Sequence, residues 1–145
     1  MARFLKLLVP LITAVSISCQ SYTTTLKESP SKVDESATIA TLHSISSAQT
    51  TYSISNNGNY GNFKELVTGG YLDSRFNSNR PVLYGYAFTI NTKSERSTTG
   101  TYSCNADPDA AAVATGRHFY IDSSSAEVHV NETQPASPSD PTLRP

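Results

Sequence analysis

The pattern of apolar and polar positions first has the period of a helix. Between residues 34 and 52, apolar side chains recur every three or four positions, which predicts one long amphipathic helix. Ser31 followed by Asp34 is typical of a helix start, and residues 56–58 supply a stop. The predicted buried stripe contains Ile39, Leu42, Ile45, Ala48 or Gln49, and Tyr52. Serine and threonine fill the other positions and have mediocre helix propensity, so we expect this helix to need a sheet to pack on.

A second, shorter helix is predicted by the segment NFKELVTGG. Asn62 can cap it, and Glu65 stands three residues later, where a capping box requires a glutamate or glutamine. Gly69 follows the last apolar position and is expected to end the helix.

The period then changes from helical spacing to alternation. Four segments, 84–91, 101–106, 117–122 and 126–130, place apolar side chains at every second position, as half-buried strands do. Ser123 and Ser124 are expected to form the tight connection between the last two segments. The predicted apolar face contains Tyr84, Tyr86, Phe88, Ile90, Tyr102, Cys104, Ala106, Phe119, Ile121, Val128 and Val130. We therefore predict an α+β fold in which the N-terminal amphipathic helix packs on a four-stranded antiparallel β-meander.

The first 18 residues are expected to be a signal peptide. Two basic residues precede the apolar run 7–17, which is too short to cross a bilayer and fits the core of an export signal. Cys19 stands at the predicted cleavage point, after VSIS, which resembles a lipobox with Ser16 in place of the usual aliphatic residue. Lipidation of Cys19 would make the protein a periplasmic, outer-membrane or cell-surface lipoprotein, whereas ordinary signal cleavage would release it.

The chain has two cysteines, so the state of one constrains the other. Lipid on Cys19 would leave Cys104 as an unpaired, buried apolar residue. A free Cys19 in an oxidising compartment could instead form a disulfide with Cys104. Both alternatives stay open on the sequence.

Two polar segments flank the predicted domain of residues 31–130. Residues 19–30 are rich in serine and threonine, without an apolar period, and are expected to form a tether. Residues 131–145 contain four prolines and are predicted to be a disordered tail. The net charge of -1, without a basic cluster, argues against nucleic acid as a partner.

The order of these segments resembles the globular head of type IV pilin-like and pseudopilin proteins. The resemblance is carried by DESATIATLHSISSAQTTY, YGNFKELVTGGYLD, YGYAFTI and GRHFYIDSSSAEVHV, in that order. It implies a non-catalytic accessory or structural component of a type IV pilus or type II secretion-like assembly, with pilin or secretion-system subunits as partners. The prepilin cleavage site and the continuous apolar stem that follows it in that family do not match here, so the resemblance covers the head alone.

Candidate binding residues lie in two groups. Tyr60, Tyr71 and Tyr84 could form a platform for a glycan or a peptide, although packing around the first turn is the favoured interpretation. If Ser123 and Ser124 form a two-residue hairpin loop, His118 faces His129 on the outer side of the sheet. Two histidines do not complete a structural zinc site, so we predict no metal and no cofactor.

No arrangement of nucleophile and base, or of paired carboxylates, is visible along the chain, and we expect no enzyme activity. The alternative function is that of a cell-surface binding module for a glycan, a peptide or a metal ion.

Overall fold

The long helix α1 spans Lys32–Ser55 in the computed structural model, which describes residues 32–94, 99–111 and 115–143. Leu42 and Ile45 are fully buried, Ala48 and Gln49 lie beside them, and Ile39 is half-buried. The predicted helix and its stripe are therefore confirmed. The predicted signal peptide, tether and lipidation site at Cys19 lie outside the described residues.

The short helix α2 spans Phe63–Thr68 and has the predicted ends. The Asn62 side chain accepts from the Glu65 N–H, and the Glu65 carboxylate accepts from the Asn62 N–H, which completes a capping box. Gly69 forms the C-cap. A 3₁₀ turn, Ser74–Phe76, follows and stacks Phe76 on the ring of Phe63, with 5.8 Å between centroids.

The sheet has five antiparallel strands in sequential order, not the predicted four. They are β1 (Val82–Leu83), β2 (Tyr86–Lys93), β3 (Thr101–Pro108), β4 (His118–Asp122) and β5 (Ser125–Asn131). The sequence prediction missed β1 because a strand of two residues is too short to show an alternating pattern. Tyr84 and Gly85 have φ of 54° and 77°, so they form a tight hairpin turn and Tyr84 does not belong to β2.

The hydrophobic core fills the space between α1, α2 and one face of the sheet. Its side chains alternate along the strands as predicted: Phe88 of β2, Cys104 of β3 and Phe119 of β4 are fully buried. Leu42, Ile45, Phe63, Phe76, Tyr86, Ala106, Ile121 and Val128 complete the buried cluster. The opposite face of the sheet, called the outer face below, carries the polar side chains of the same strands.

The C-terminal segment corrects another prediction, because residues 131–143 are folded against the sheet. Ala136 retains 4% of its surface, and its carbonyl accepts from Asn105 Nδ2 at 2.8 Å. Thr142 forms a β-bridge with His129 of β5. Hydrogen bonds to the sheet, together with buried Ala136 and partly buried Leu143, hold this segment, so its low apolar content did not indicate disorder.

Candidate functional site

The exposed side of α1 carries a strip of uncharged side chains. Positions 40, 44, 47, 51 and 54 follow one another at helical spacing, and all are exposed. We call this set, Ala40, Ser44, Ser47, Thr51 and Ile54, the outer stripe. Ile54 is 79% exposed, which is the largest value among the exposed large hydrophobic residues.

The hydroxyl groups of the outer stripe are already bonded within the helix. Ser44 donates to the Ala40 carbonyl at 2.9 Å, and Ser47 donates to the His43 carbonyl at 3.0 Å. Thr51 donates to the Ser47 carbonyl at 3.0 Å. Covering this surface would therefore leave no hydroxyl proton of these three residues without an acceptor. His43 is exposed, as predicted.

The three candidate tyrosines have three different neighbours. The Tyr60 ring packs on Tyr102, with centroids 4.8 Å apart. Tyr71 packs edge-on against Tyr52 at 5.5 Å, and Tyr84 hydrogen-bonds Arg75. Tyr60 and Tyr71 are partly buried and Tyr84 is 45% exposed. These contacts pack Tyr60 against β3 and Tyr71 against α1.

The predicted His118–His129 pair is not formed. Ser123 and Ser124 do make the two-residue loop, and Asp122 faces Ser125. The next pair is Tyr120 with His129, beyond an irregularity in the register. Between these two pairs, β4 spans two residue steps and β5 spans four. This β-bulge places His129 opposite Tyr120 and His118 opposite Asn131. The shift is even, so the apolar residues of β5 keep their face.

Each of the two histidines has its own hydrogen-bond partner. His118 Nδ1 lies 2.6 Å from Asp107 Oδ1, and His129 Nδ1 lies 2.7 Å from the carbonyl oxygen of Asp140. His118 also lines a groove of about 390 Å³ with Gly116, Glu132 and other residues. Within residues 32–94, 99–111 and 115–143, no three His, Cys, Asp or Glu side chains are grouped to hold a metal ion.

An ion pair joins the first turns of α1 to the start of β4. Arg117 Nη2 lies 2.6 Å from Glu35 Oε2, with side-chain exposures of 34% and 15%. This hydrogen-bonded contact raises the pKa of Arg117 above its ordinary value. The Arg117 guanidinium also lies 5.6 Å from the centroid of the Phe119 ring. The pair therefore fixes the N-terminal part of the helix on the sheet.

A polar groove of about 270 Å³ crosses the outer face near the β4–β5 turn. Its side chains include Asn91, Lys93, Ser103, Tyr120 and Asp122. Asn91 faces Ser103, which in turn faces Asp122, so these three form one row across adjacent strands. Such a row offers both donors and acceptors to a small polar ligand. The sequence prediction missed it because the relevant residues are spread over three strands.

Hydrogen bonds determine the charge state of the groove carboxylate. Burial alone would raise the pKa of Asp122, but bonds from Ser124 and Tyr120 outweigh this effect and lower that pKa. Burial, together with the bond to Asp122, raises the pKa of Tyr120 to about 12. The groove therefore contains a carboxylate and a neutral phenol at neutral pH.

Cys104 is a fully buried free thiol in the middle of β3. Burial raises its pKa, so the reactive thiolate is disfavoured. Its burial fits the first of the two alternatives, whereas its pairing with Cys19 stays a prediction because Cys19 lies outside the described residues. Among the described helices, none is long and apolar enough to cross a membrane.

In comparisons with known proteins, no family model, no curated protein and no solved structure matches the chain.

Proposed function

We propose that the protein is an exported, non-catalytic accessory or structural component of a type IV pilus or type II secretion-like assembly. The observation that carries the proposal is the division of α1 into two faces. One face packs on the antiparallel meander, and the outer stripe on the opposite face is uncharged and exposed. The fold class agrees with the helix-on-sheet architecture that the resemblance to pilin-like heads implies.

The outer stripe suits a second helix as its partner. Its small side chains allow close approach between helix backbones, and Ile54 offers an apolar contact at one end. Its hydroxyl protons are bonded internally, which lowers the desolvation cost of covering them. We assign the apolar stem helix of a pilin-type subunit to this surface, since the apolar part of such a helix brings no charge that would need a counterion.

Anchoring through lipid on Cys19 belongs to the same proposal. The intact mass of the mature protein, isolated from membrane and soluble fractions, tests it. Diacylglycerol and acyl chains on Cys19 would support a lipoprotein. A mature chain without lipid and lighter by two hydrogens would indicate a disulfide and contradict both the lipid anchor and the free thiol of Cys104.

Co-purification with stem-bearing pilin subunits tests the docking surface. Ser47→Glu adds a charge to the middle of the outer stripe, where the side chain is exposed, and should abolish co-purification. Ser78→Glu is the matched control, because Ser78 is also exposed but lies in the loop before β1. Both sites avoid the core, whereas a charge at fully buried Leu42 would unfold the domain.

The polar groove favours a second candidate function, the binding of a small glycan at the cell surface. Asn91, Ser103 and Asp122 present the donors and acceptors that sugar hydroxyls require. An oligosaccharide that binds the native state must raise the melting temperature. Asn91→Ala, at an exposed position, should remove that rise without changing the melting temperature of the free protein.

A further inference from the structure

The last strand of the sheet is covered by the chain's own C-terminal segment. We call residues 132–143 the C-terminal arm. The Val130 N–H donates to the Pro141 carbonyl at 2.9 Å, and the Leu143 N–H donates to the Val128 carbonyl at 2.8 Å. The arm thus occupies part of the edge of β5 that would otherwise present unpaired backbone groups.

The arm also contacts the outer face of the sheet. We call the surface that holds the arm, which is formed by β5 and Asn105, its seat. The Ala136 carbonyl accepts from Asn105 Nδ2 of β3 at 2.8 Å, although the arm leaves the sheet from the end of β5. Ala136 is 4% exposed, and the Leu143 side chain packs against the core cluster. The arm therefore contacts β3 as well as the edge of β5.

The first residues of the arm form an exposed hinge. Residues 132–135 are all exposed, and the Asn131 side chain accepts from the N–H groups of Thr133 and Gln134. The contacts that seat the arm, at Ala136, Pro141 and Leu143, lie beyond this hinge. A second copy of the chain carries an arm of identical sequence, so it can make the same contacts on the same seat.

We propose that the C-terminal arm is exchangeable, and that the seat formed by β5 and Asn105 accepts the arm of a second copy of this chain. Two copies then hold each other through two equivalent seats, each filled by the partner's arm. Exchange preserves all the hydrogen bonds between an arm and its seat. The hinge therefore determines whether an arm binds its own domain or that of a second copy. The inference rests on the fold alone and is independent of the proposed function.

Shortening the hinge in the full chain tests the proposal. Deletion of residues 133–135 leaves two residue steps in place of five between Asn131 and Ala136, which lowers their maximum separation from about 17 Å to about 7 Å. We expect this connection to be too short for the arm to return to its own Asn105. We expect the deletion variant to have twice the monomer mass in size-exclusion chromatography with light scattering. Replacing residues 133–135 by Gly-Ser-Gly is the matched control and should leave a monomer.

A second pair of variants checks that the arm itself makes the dimer. In the deletion variant, Leu143→Pro removes the N–H that donates to Val128, whereas Leu143→Ala keeps it. We expect the proline variant to lose more of the dimer than the alanine variant. A folded, monomeric deletion variant would overturn the proposal. An unfolded one would overturn it as well, because an exchanged arm supplies the same contacts.

Discussion

At the scale of single residues, Gln49 shows how a polar side chain can fix the position of a helix. It is fully buried, and its amide makes two hydrogen bonds to Gly61, one from Nε2 to the carbonyl at 2.6 Å and one to Oε1 from the N–H at 2.9 Å. Both backbone groups of Gly61 are thereby satisfied in the interior. The glycine also lies close to the Tyr52 ring, where an added Cβ would come within 3.1 Å. The hydrogen bonds of Gln49 therefore fix the position of the segment around Gly61, from which α2 begins.

Gln49→Ala should destabilise the domain by about 2–4 kcal/mol, because it leaves two buried backbone groups unpaired and opens a cavity. Urea unfolding followed by circular dichroism measures the change in the free energy of unfolding. Thr50→Ala is the neighbouring control, since Thr50 is exposed, and should change that free energy by no more than about 0.5 kcal/mol. Equal effects of the two substitutions would show that the contact with Gly61 contributes no stability.

Cys104 gives a second prediction at this scale. The thiol is fully buried and its pKa is raised, so it should resist alkylating reagents in the native protein and react once the protein is unfolded. Labelling with iodoacetamide, followed by mass spectrometry of the peptide that contains Cys104, measures this. Rapid labelling of the native protein would contradict the buried position of β3.

At the scale of elements, the sequence predicted those features that depend on residues close together in the chain. The stripe of α1, the capping box of Asn62 and Glu65, and the alternation in β2 to β5 were all readable from the chain. The bulge between β4 and β5 was not, because it depends on how two strands pair rather than on either strand alone. The C-terminal arm was missed for a similar reason: its hydrogen bonds go to residues of β3 and β5.

The order of the arm should depend on pH through Asp140. Hydrogen bonds from the Ser137 side chain, and then from Asn131 and the Ser137 N–H, lower the pKa of this carboxyl below its ordinary value. A lowered pKa means that the contribution to stability is complete above the unfolded pKa of about 3.9 and is lost as the pH falls through the folded pKa. We therefore expect the arm to loosen at acid pH while the sheet remains folded.

Amide hydrogen exchange measures that loosening. The protection factor of the Leu143 amide should fall below about pH 4, whereas that of the Phe88 amide, in β2, should not. Asp140→Asn removes the titrating group, so its Leu143 protection should show no acid step. An identical acid step in the wild type and in Asp140→Asn would exclude Asp140 as the cause.

At the scale of the whole molecule, the α+β class followed from the period of the apolar residues, whereas the candidate binding surfaces consist mostly of polar residues that this period does not mark. The outer stripe is the part of α1 that the hydrophobic pattern leaves undefined, and the polar groove joins residues from distant segments. A resemblance in the order of elements is compatible with many functions, so the function must be argued from these surfaces. Among them, the outer stripe is the surface on which the proposed assembly role depends.

The measurement that tests this account most directly is the amount of stem-bearing pilin subunit recovered with the protein, quantified by mass spectrometry for the wild type, Ser47→Glu and Ser78→Glu. The account predicts recovery with the wild type and Ser78→Glu, and a loss of at least about tenfold with Ser47→Glu, which corresponds to roughly 1.4 kcal/mol of binding free energy. Absence of such subunits from the wild-type sample, or equal recovery with both variants, would contradict docking through the outer stripe.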